Sequence, residues 1–416
     1  LNHNSKTSPP QFSVIIPAYN QARFLGEAIE SVLAQTFQDF EIVVINDGST
    51  DETEAVALEY GDKVRYILQE NQGLAGARNS GIRAAKGEWI ALLDSDDKWL
   101  PEFLERMMAR INEHPQAVVF YGAALCVDEW GVPLKQVVGY RSIDNSRLYH
   151  ALLRANFIIP SAVVVNKIVI EQAGCFDQTL RSCEDWDLCL HLLSEGKTFY
   201  GSPDVLVHYR IHGSSLSANV ENMQKSYYSV IEKHFGVDDR HYDQWSEEKR
   251  IAFGGFYRYQ LLTNIQRRNE WQGADILSKA LKSDPALVTD LDFFYELALG
   301  SQPLGYRGTD CHLTLEKNTR CVETLLADLF ALTNELEILA NRSAIYGSAY
   351  KTIALAAYNT GQFAWCRKYL LKALRHQPGL VSERMVLGSL VKSFLGGRML
   401  YILQAFKRSM TMGGAK

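Results

Sequence analysis

Four β-branched runs, separated by amphipathic stretches, govern what the first part of this 416-residue chain can become. "FSVIIPAY" (12–19), "FEIVVIND" (40–47), "VRYILQE" (64–70) and "EWIALLD" (88–94) each end in polar or turn residues. Between the first two, "ARFLGEAIESVLAQT" sets Phe24, Leu25, Ile29, Val32 and Leu33 on one helical face. "STDETEAVALEY" opens with Ser49 or Thr50 ahead of acids, a helix-start signature, and "AGARNSGIRAAKG" predicts a helix after a Gly-rich turn. Strands spaced by helices of this length imply right-handed βαβ crossovers and a largely parallel sheet. Ligands of such sheets sit beyond the carboxyl ends of the strands, where Tyr19-Asn20, Asn46-Asp47 and Asp94-Ser95-Asp96 fall.

The alternation weakens towards residue 218, and beyond about 225 no convincing strand signal remains. "WQGADILSKALKSDP" (271–285) and "YGSAYKTIALAAYNTGQFAWCRKYLLKALRHQP" (346–378) share a small–Leu–Ala–Pro spacing. In the second, Tyr350, Ala354, Gly361, Phe363, Leu370, Ala373 and Pro378 stand as in a tetratricopeptide hairpin. Segments 287–299 and 320–341 are also helical in pattern. The expected division is a disordered segment 1–10, an α/β domain 11–225 and an all-α helical-hairpin domain 226–416.

A formal net charge of -5 gives no reason to expect nucleic-acid binding. Seven cysteines, odd in number and without a CxxC pair, argue against a disulfide framework or a structural zinc site. They fit a reducing compartment, and no apolar run reaches membrane-span length. The opening LNHNSKTSPP lacks the apolar core of a signal peptide, and the absent initiator Met is expected of numbering that starts at a truncation. The expected location is the cytoplasm, with peripheral contact at the inner membrane face. For that contact the candidate is 383–410, apolar with Lys392, Arg398, Lys407 and Arg408 interspersed, and broken by Gly396-Gly397.

"LLDSDD" drives a buried strand into three carboxylates. At about 5 Å each pair would repel by roughly 3 kcal/mol at an effective dielectric of about 20. On extended backbone, Asp94 and Asp96 point the same way and can meet one cation, for which hard oxygen ligands favour Mg²⁺ or Mn²⁺ with substrate phosphates. Asp97 is expected to cap the helix "KWLPEFLERMMARI". "NQGLAGARNSG" has the wrong spacing for a dinucleotide fingerprint and comes after the third strand rather than the first.

These stretches, with "CEDWDLCLHL" further on, resemble the family-2 inverting glycosyltransferases of GT-A fold over residues 11–218, with four motifs in order. The resemblance implies transfer of a sugar from a nucleotide-diphosphate donor, most simply a UDP-sugar, to a glycan, lipid-linked or protein hydroxyl. It implies that Asp96 ligates the metal and that Asp94, beside Ser95, contacts the ribose or a metal-bound water. Pro17, Ala18, Tyr19 and Asn20 would cradle the base, and Asp47 would contact it. Asn46 stands where the family has a first aspartate. Arg78 would serve the donor site and Asp185 would be the general base, with Glu184 orienting it or the acceptor. Arg210 would neutralise the leaving group, and His212 would complete the metal shell or contact phosphate. The helical half lies outside the resemblance and is expected to bind a partner or self-associate. Two rivals stand beside this reading. One is a non-catalytic scaffold; the other is a nucleotidyltransferase, which would want a basic Gly-rich loop where this chain has "PAYNQARF".

Overall fold

The computed structural model describes residues 9–267, 273–309 and 311–394. The expected disordered segment lies largely outside them, as does the stretch after Phe394. The chain divides into two compact units between Asp239 and Arg240, beyond the expected boundary at 225.

The first unit is a nine-stranded sheet flanked by helices. In chain order it comprises β1 (Phe12–Ala18), α1 (Ala22–Leu33), β2 (Phe40–Asn46), α2 (Thr53–Leu58), β3 (Arg65–Leu68) and α3 (Gly73–Ala84). Next come β4 (Trp89–Leu92), β5 (Lys98–Trp99), α4 (Phe103–Glu113), β6 (Val119–Val127), β7 (Pro133–Val138) and α5 (Asn145–Arg154). β8 (Val163–Asn166), α6 (Lys167–Gln172), α7 (Glu184–Ser194), β9 (Phe199–Arg210) and α8 (Val220–Phe235) complete it. The sheet order is β3-β2-β1-β4-β8-β6-β9-β5, with β7 paired to β6. β1 to β4 are mutually parallel, β8 runs antiparallel to β4 and β6, and β9 is parallel to β6.

Every residue of β1 is buried, which is why it reads as a continuous apolar run rather than an alternation. Val14, Ile16 and Ala18 join one core cluster with Leu25, Ile29 and Val32 of α1 and Phe103, Leu104 and Met107 of α4. On its other face Ile15 meets α3 at Gly81, where a Cβ would stand 2.3 Å from Ile15 Cγ2. Glycine there lets helix and strand close on each other.

Neither Ser49 nor Thr50 caps α2, whose N-cap position is Glu52 with no side-chain cap. Ser49 Oγ accepts from Asn20 N, and Asp51 Oδ1 takes the Thr53 N–H instead.

The second unit is all-helical among its described residues. It contains α9 (Glu247–Gln266), α10 (Gly273–Ser283), α11 (Leu291–Leu299), α12 (Leu315–Leu332), α13 (Leu336–Ala340), α14 (Arg342–Asn359) and α15 (Phe363–His376), then a helix over 384–394. α14 is buried along most of its length because it packs on α11, α12 and α15. It turns into α15 at Gly361, whose φ of 72° is the left-handed region that glycine tolerates. No described helix is long and apolar enough to cross a membrane.

Candidate active site

Parallel pairing brings the ends of β1, β2 and β4 to one edge. Ala18 sits opposite Asn46, and past the last paired residue the Leu93 N–H still donates to Ile15 O at 3.1 Å. Asn46 builds the turn after β2. Its Oδ1 accepts from Ser49 N at 2.9 Å and its Nδ2 donates to Tyr66 Oη at 2.9 Å. Asn20, with φ 53°, accepts from Thr50 N at 2.8 Å and so ties the end of β1 to the same turn. Asp47 is 3% exposed, and its Oδ1 takes Gln69 Nε2 at 2.7 Å and Gln72 N at 2.9 Å. The amide at the start of α3 therefore serves Asp47. Tyr19 is half-exposed at the edge, while Pro17 and Ala18 are buried with the strand.

β4 ends at Leu92, and the acids after it form a turn in which Asp97 N donates to Asp94 O at 3.0 Å. The extended-strand argument for Asp94 and Asp96 therefore fails; a turn, not strand alternation, sets their directions. Asp97 does not cap a helix. Lys98-Trp99 pairs with His208 and Val207, and Pro101 keeps Leu100 out of helical conformation, so α4 begins only at Phe103. Asp97 is buried instead. Its Oδ2 accepts from Ser161 Oγ at 2.5 Å and its Oδ1 from Arg210 N at 2.8 Å. Burial, with Asp96 and Asp94 beside it, pushes its carboxyl well above the usual range. Asp96 faces the loop after β9, where its Oδ2 lies 2.9 Å from His212 Nε2. His212 Nδ1 pairs with Ser214 Oγ at 2.8 Å.

α7 begins after Cys183, whose φ of 64° turns the chain sharply into Glu184 and Asp185. Arg78, 1% exposed, reaches from α3 to both sides of the site. Nη2 donates to Asp94 Oδ1 at 2.6 Å and Nη1 to Glu184 Oε1 at 2.5 Å. Asn79 clamps the backbone of Phe176, donating to its carbonyl at 2.8 Å and accepting its N–H at 2.9 Å. That places the Phe176 ring 5.4 Å from the Arg78 guanidinium. Asp94, Glu184 and Asp185 all act on this one guanidinium and hold its charge firmly. Burial pushes the Glu184 carboxyl up to about 7 against the pull of Arg78. Burial also raises Asp185, opposed by Arg78 and by Asn156, whose Nδ2 is 3.4 Å away.

The family model described as glycosyl transferase family 2 matches residues 13–160. An uncharacterized glycosyltransferase of Rickettsia typhi is 33% identical over 225 residues, 53% of this chain and 70% of the relative. The chain belongs to glycosyl transferase family 2. An uncharacterized glycosyltransferase of Haemophilus influenzae is 30% identical over 288 residues, which cover 67% of this chain and 93% of that one. Among solved structures, S. aureus TarS 1-349 in complex with UDP is similar at a TM-score of 0.44 and 19% identity, covering 82% of this chain and 90% of that one. As a family-2 member the protein is a glycosyltransferase, so the scaffold reading falls away. The matched span holds Tyr19, Asp47, Arg78, Asp94 and Asp96; Glu184, Asp185, Arg210 and His212 lie after it.

Two arginines sit differently from what the resemblance implied. Arg78 acts on Asp94 and Glu184 from inside the protein. Arg210, also buried, directs Nε to Asp96 O, Nη1 to Glu129 O and Nη2 to Glu27 Oε2, at 2.8, 3.1 and 2.9 Å. Its guanidinium stacks at 4.8 Å from the Phe24 ring and fastens the acid turn. Ser95 is buried inside that turn. Sequence reasoning missed Ser161, which accepts from Asp94 N at 3.1 Å, donates to Asp97 and offers its carbonyl to Trp99 Nε1 at 2.6 Å. A lone serine after a proline carries no signal of such a role.

Proposed function

We propose that this glycosyltransferase is metal-dependent and inverting, and that it moves a sugar from a nucleoside diphosphate, most simply UDP, to an acceptor hydroxyl. One observation carries the reading. The Arg78 guanidinium joins Asp94, at the acid turn, to Glu184, next to Asp185, so the donor end and the base end form one rigid cluster. Asp94, Glu184 and Asp185 all face that single cation, and a divalent ion beside Asp94 would add a second positive charge to the cluster.

The donor atoms suit Mg²⁺ or Mn²⁺, being hard carboxylate oxygens on one short turn. Among the described residues no three His, Cys, Asp or Glu side chains surround a common point, so Asp94 and Asp96 would share the ion with diphosphate oxygens and water. His212 stands at Asp96 as a third candidate. The bound ion would stabilise charge on the departing diphosphate. Tyr19 offers its ring to the base, and Asp47 Oδ2, with no partner among the described residues, can accept an imide N–H. Asp185, its carboxyl raised by burial, would take the acceptor proton as the acceptor oxygen bonds the anomeric carbon and the bond to the diphosphate oxygen breaks. We also read α14–α15 as a tetratricopeptide-like hairpin, which the spacing through Gly361 and Ala373 supports, with a glycan, lipid-linked or protein acceptor or partner as its client.

Asp185→Asn should lower transfer by about 10²–10⁴-fold and leave Mn²⁺-dependent thermal stabilisation by UDP intact. Retained turnover would remove Asp185 as the base. Absence of metal-dependent stabilisation by any nucleoside diphosphate would remove the donor-site assignment.

A further inference from the structure

The helix over 384–394 has its polarity inside out. Val386, Ser389 and Ser393 are buried, and the Ser393 carbonyl accepts from Arg367 Nη1 of α15. Leu387, Val391 and Phe394 are 48%, 54% and 70% exposed. Their spacing of four and three residues sets them on one stripe. A helix that needed only a solvated outer face would place the serines outward and the leucine, valine and phenylalanine inward. Among the described residues nothing apolar covers this stripe.

Charge identifies the occupant. From Phe363 to Phe394 the sequence carries Arg367, Lys368, Lys372, Arg375, Arg384 and Lys392 against a single acid, and of these Lys372 is paired with Glu323 of α12 at 2.6 Å. That acid, Glu383, is held by Lys351 Nζ at 2.5 Å. The chain as a whole is formally -5, so this hairpin is a basic island on an acidic protein. Arg384 and Lys392 are exposed on the same short helix as the apolar stripe. A second copy docked isologously through this face would bring one cationic patch against another. A soluble polyanion would satisfy the cations but leave the apolar stripe in water. An anionic bilayer takes both, with apolar side chains at the acyl boundary and Lys and Arg among the headgroups.

We infer that helix 384–394 docks the protein on an anionic membrane surface through Leu387, Val391 and Phe394, flanked by Arg384 and Lys392. The inference goes beyond the donor and base assignments and depends on neither.

The test is co-sedimentation of the full chain with phosphatidylcholine vesicles and with vesicles of equal parts phosphatidylcholine and phosphatidylglycerol. Binding is expected to the anionic vesicles only, and to fall by about tenfold or more when salt is raised towards 1 M. The double substitution Leu387→Glu, Val391→Glu should abolish it, and Arg384→Ala with Lys392→Ala should weaken it. Both changes are at exposed positions, so thermal melting and transferase activity on a soluble acceptor should stay as in the parent. No vesicle binding, equal binding to neutral vesicles, or unchanged binding by the Leu387, Val391 variant would each overturn the inference. So would a concentration-dependent dimer that this variant dissolves, or capture by a soluble acidic polymer without vesicle binding.

Discussion

Arg78 answers two carboxylates that come from separate parts of the chain, and its planar fork makes that possible. Lysine offers one point charge and cannot donate to Asp94 and Glu184 along two fixed directions. Arg78→Lys is therefore expected to keep the fold while lowering kcat by about 10²-fold, the penalty of misplacing groups at a reacting centre. Arg78→Ala would leave the buried Glu184 and the partly exposed Asp94 without their partner and should cost about 3–5 kcal/mol, read by chemical denaturation. Equal activity of the lysine variant would show that the bridge does not position the site. The residue types were legible in the sequence, but their pairing was not. Arg78 and Glu184 are 106 residues apart, so no helical or strand periodicity could join them. The same holds for Ser161 with Asp97. Where a contact was local it could have been read: Pro101 already barred a helix from starting at Asp97.

At the scale of elements, two close approaches govern how the site is held. α3 can lie on β1 only because position 81 lacks a side chain. Alanine at an exposed helical site would gain about 1 kcal/mol over glycine, but here its Cβ would overlap Ile15 in a packed core, where overpacking costs about 1–3 kcal/mol. The contact should win, so Gly81→Ala is expected to lower the melting temperature; a rise would mean that α3 can shift away. α7 is anchored from behind. Asp187 Oδ2 accepts from Lys233 Nζ at 2.8 Å, and its Oδ1 lies 2.9 Å from His234 Nε2, both residues on α8. Burial works against the Asp187 charge, yet His234 and Lys233 hold its carboxyl below the ordinary value. A depressed carboxyl contributes stability that is present above its unfolded pKa, near 4, and is lost as pH falls through the folded value. Acid titration of Asp187→Asn should thus show a shallower loss of stability below about pH 4, after a deficit of roughly 1–3 kcal/mol at neutral pH. A parent and variant with parallel acid limbs would exclude this anchor. The resemblance singled out Glu184 and Asp185 among the three acids opening α7 and left Asp187 without a role; the fold supplies one by turning Asp187 to α8.

For the whole molecule, alternation of strand and helix signals revealed an α/β half and its loss revealed an all-α half. The place where one ends was harder to see. The strand signal stops at β9, and a boundary at 225 cuts through α8 (Val220–Phe235) because a helix after the last strand looks like the first helix of the all-α half. Packing assigns α8 to the first unit. Tyr227, Val230 and Ile231 are all but fully buried, and the Tyr227 ring lies 4.2 Å from Trp186, next to Asp185. Burying side chains of this size contributes about 1.5–3 kcal/mol each, so losing all three approaches the whole stability of a typical domain, about 5–15 kcal/mol. A chain cut at 225 would forfeit those contacts together with the Lys233 and His234 anchors of Asp187. Residues 9–239 should therefore melt cooperatively and keep metal-dependent stabilisation by UDP, whereas 9–225 should be aggregated or molten, with exposed apolar surface that binds a hydrophobic dye. If the shorter piece melts as sharply and as high as the longer one, α8 is dispensable to the α/β unit. The geometry of Glu184 and Asp185 would then have to be held by α3 and Arg78 alone.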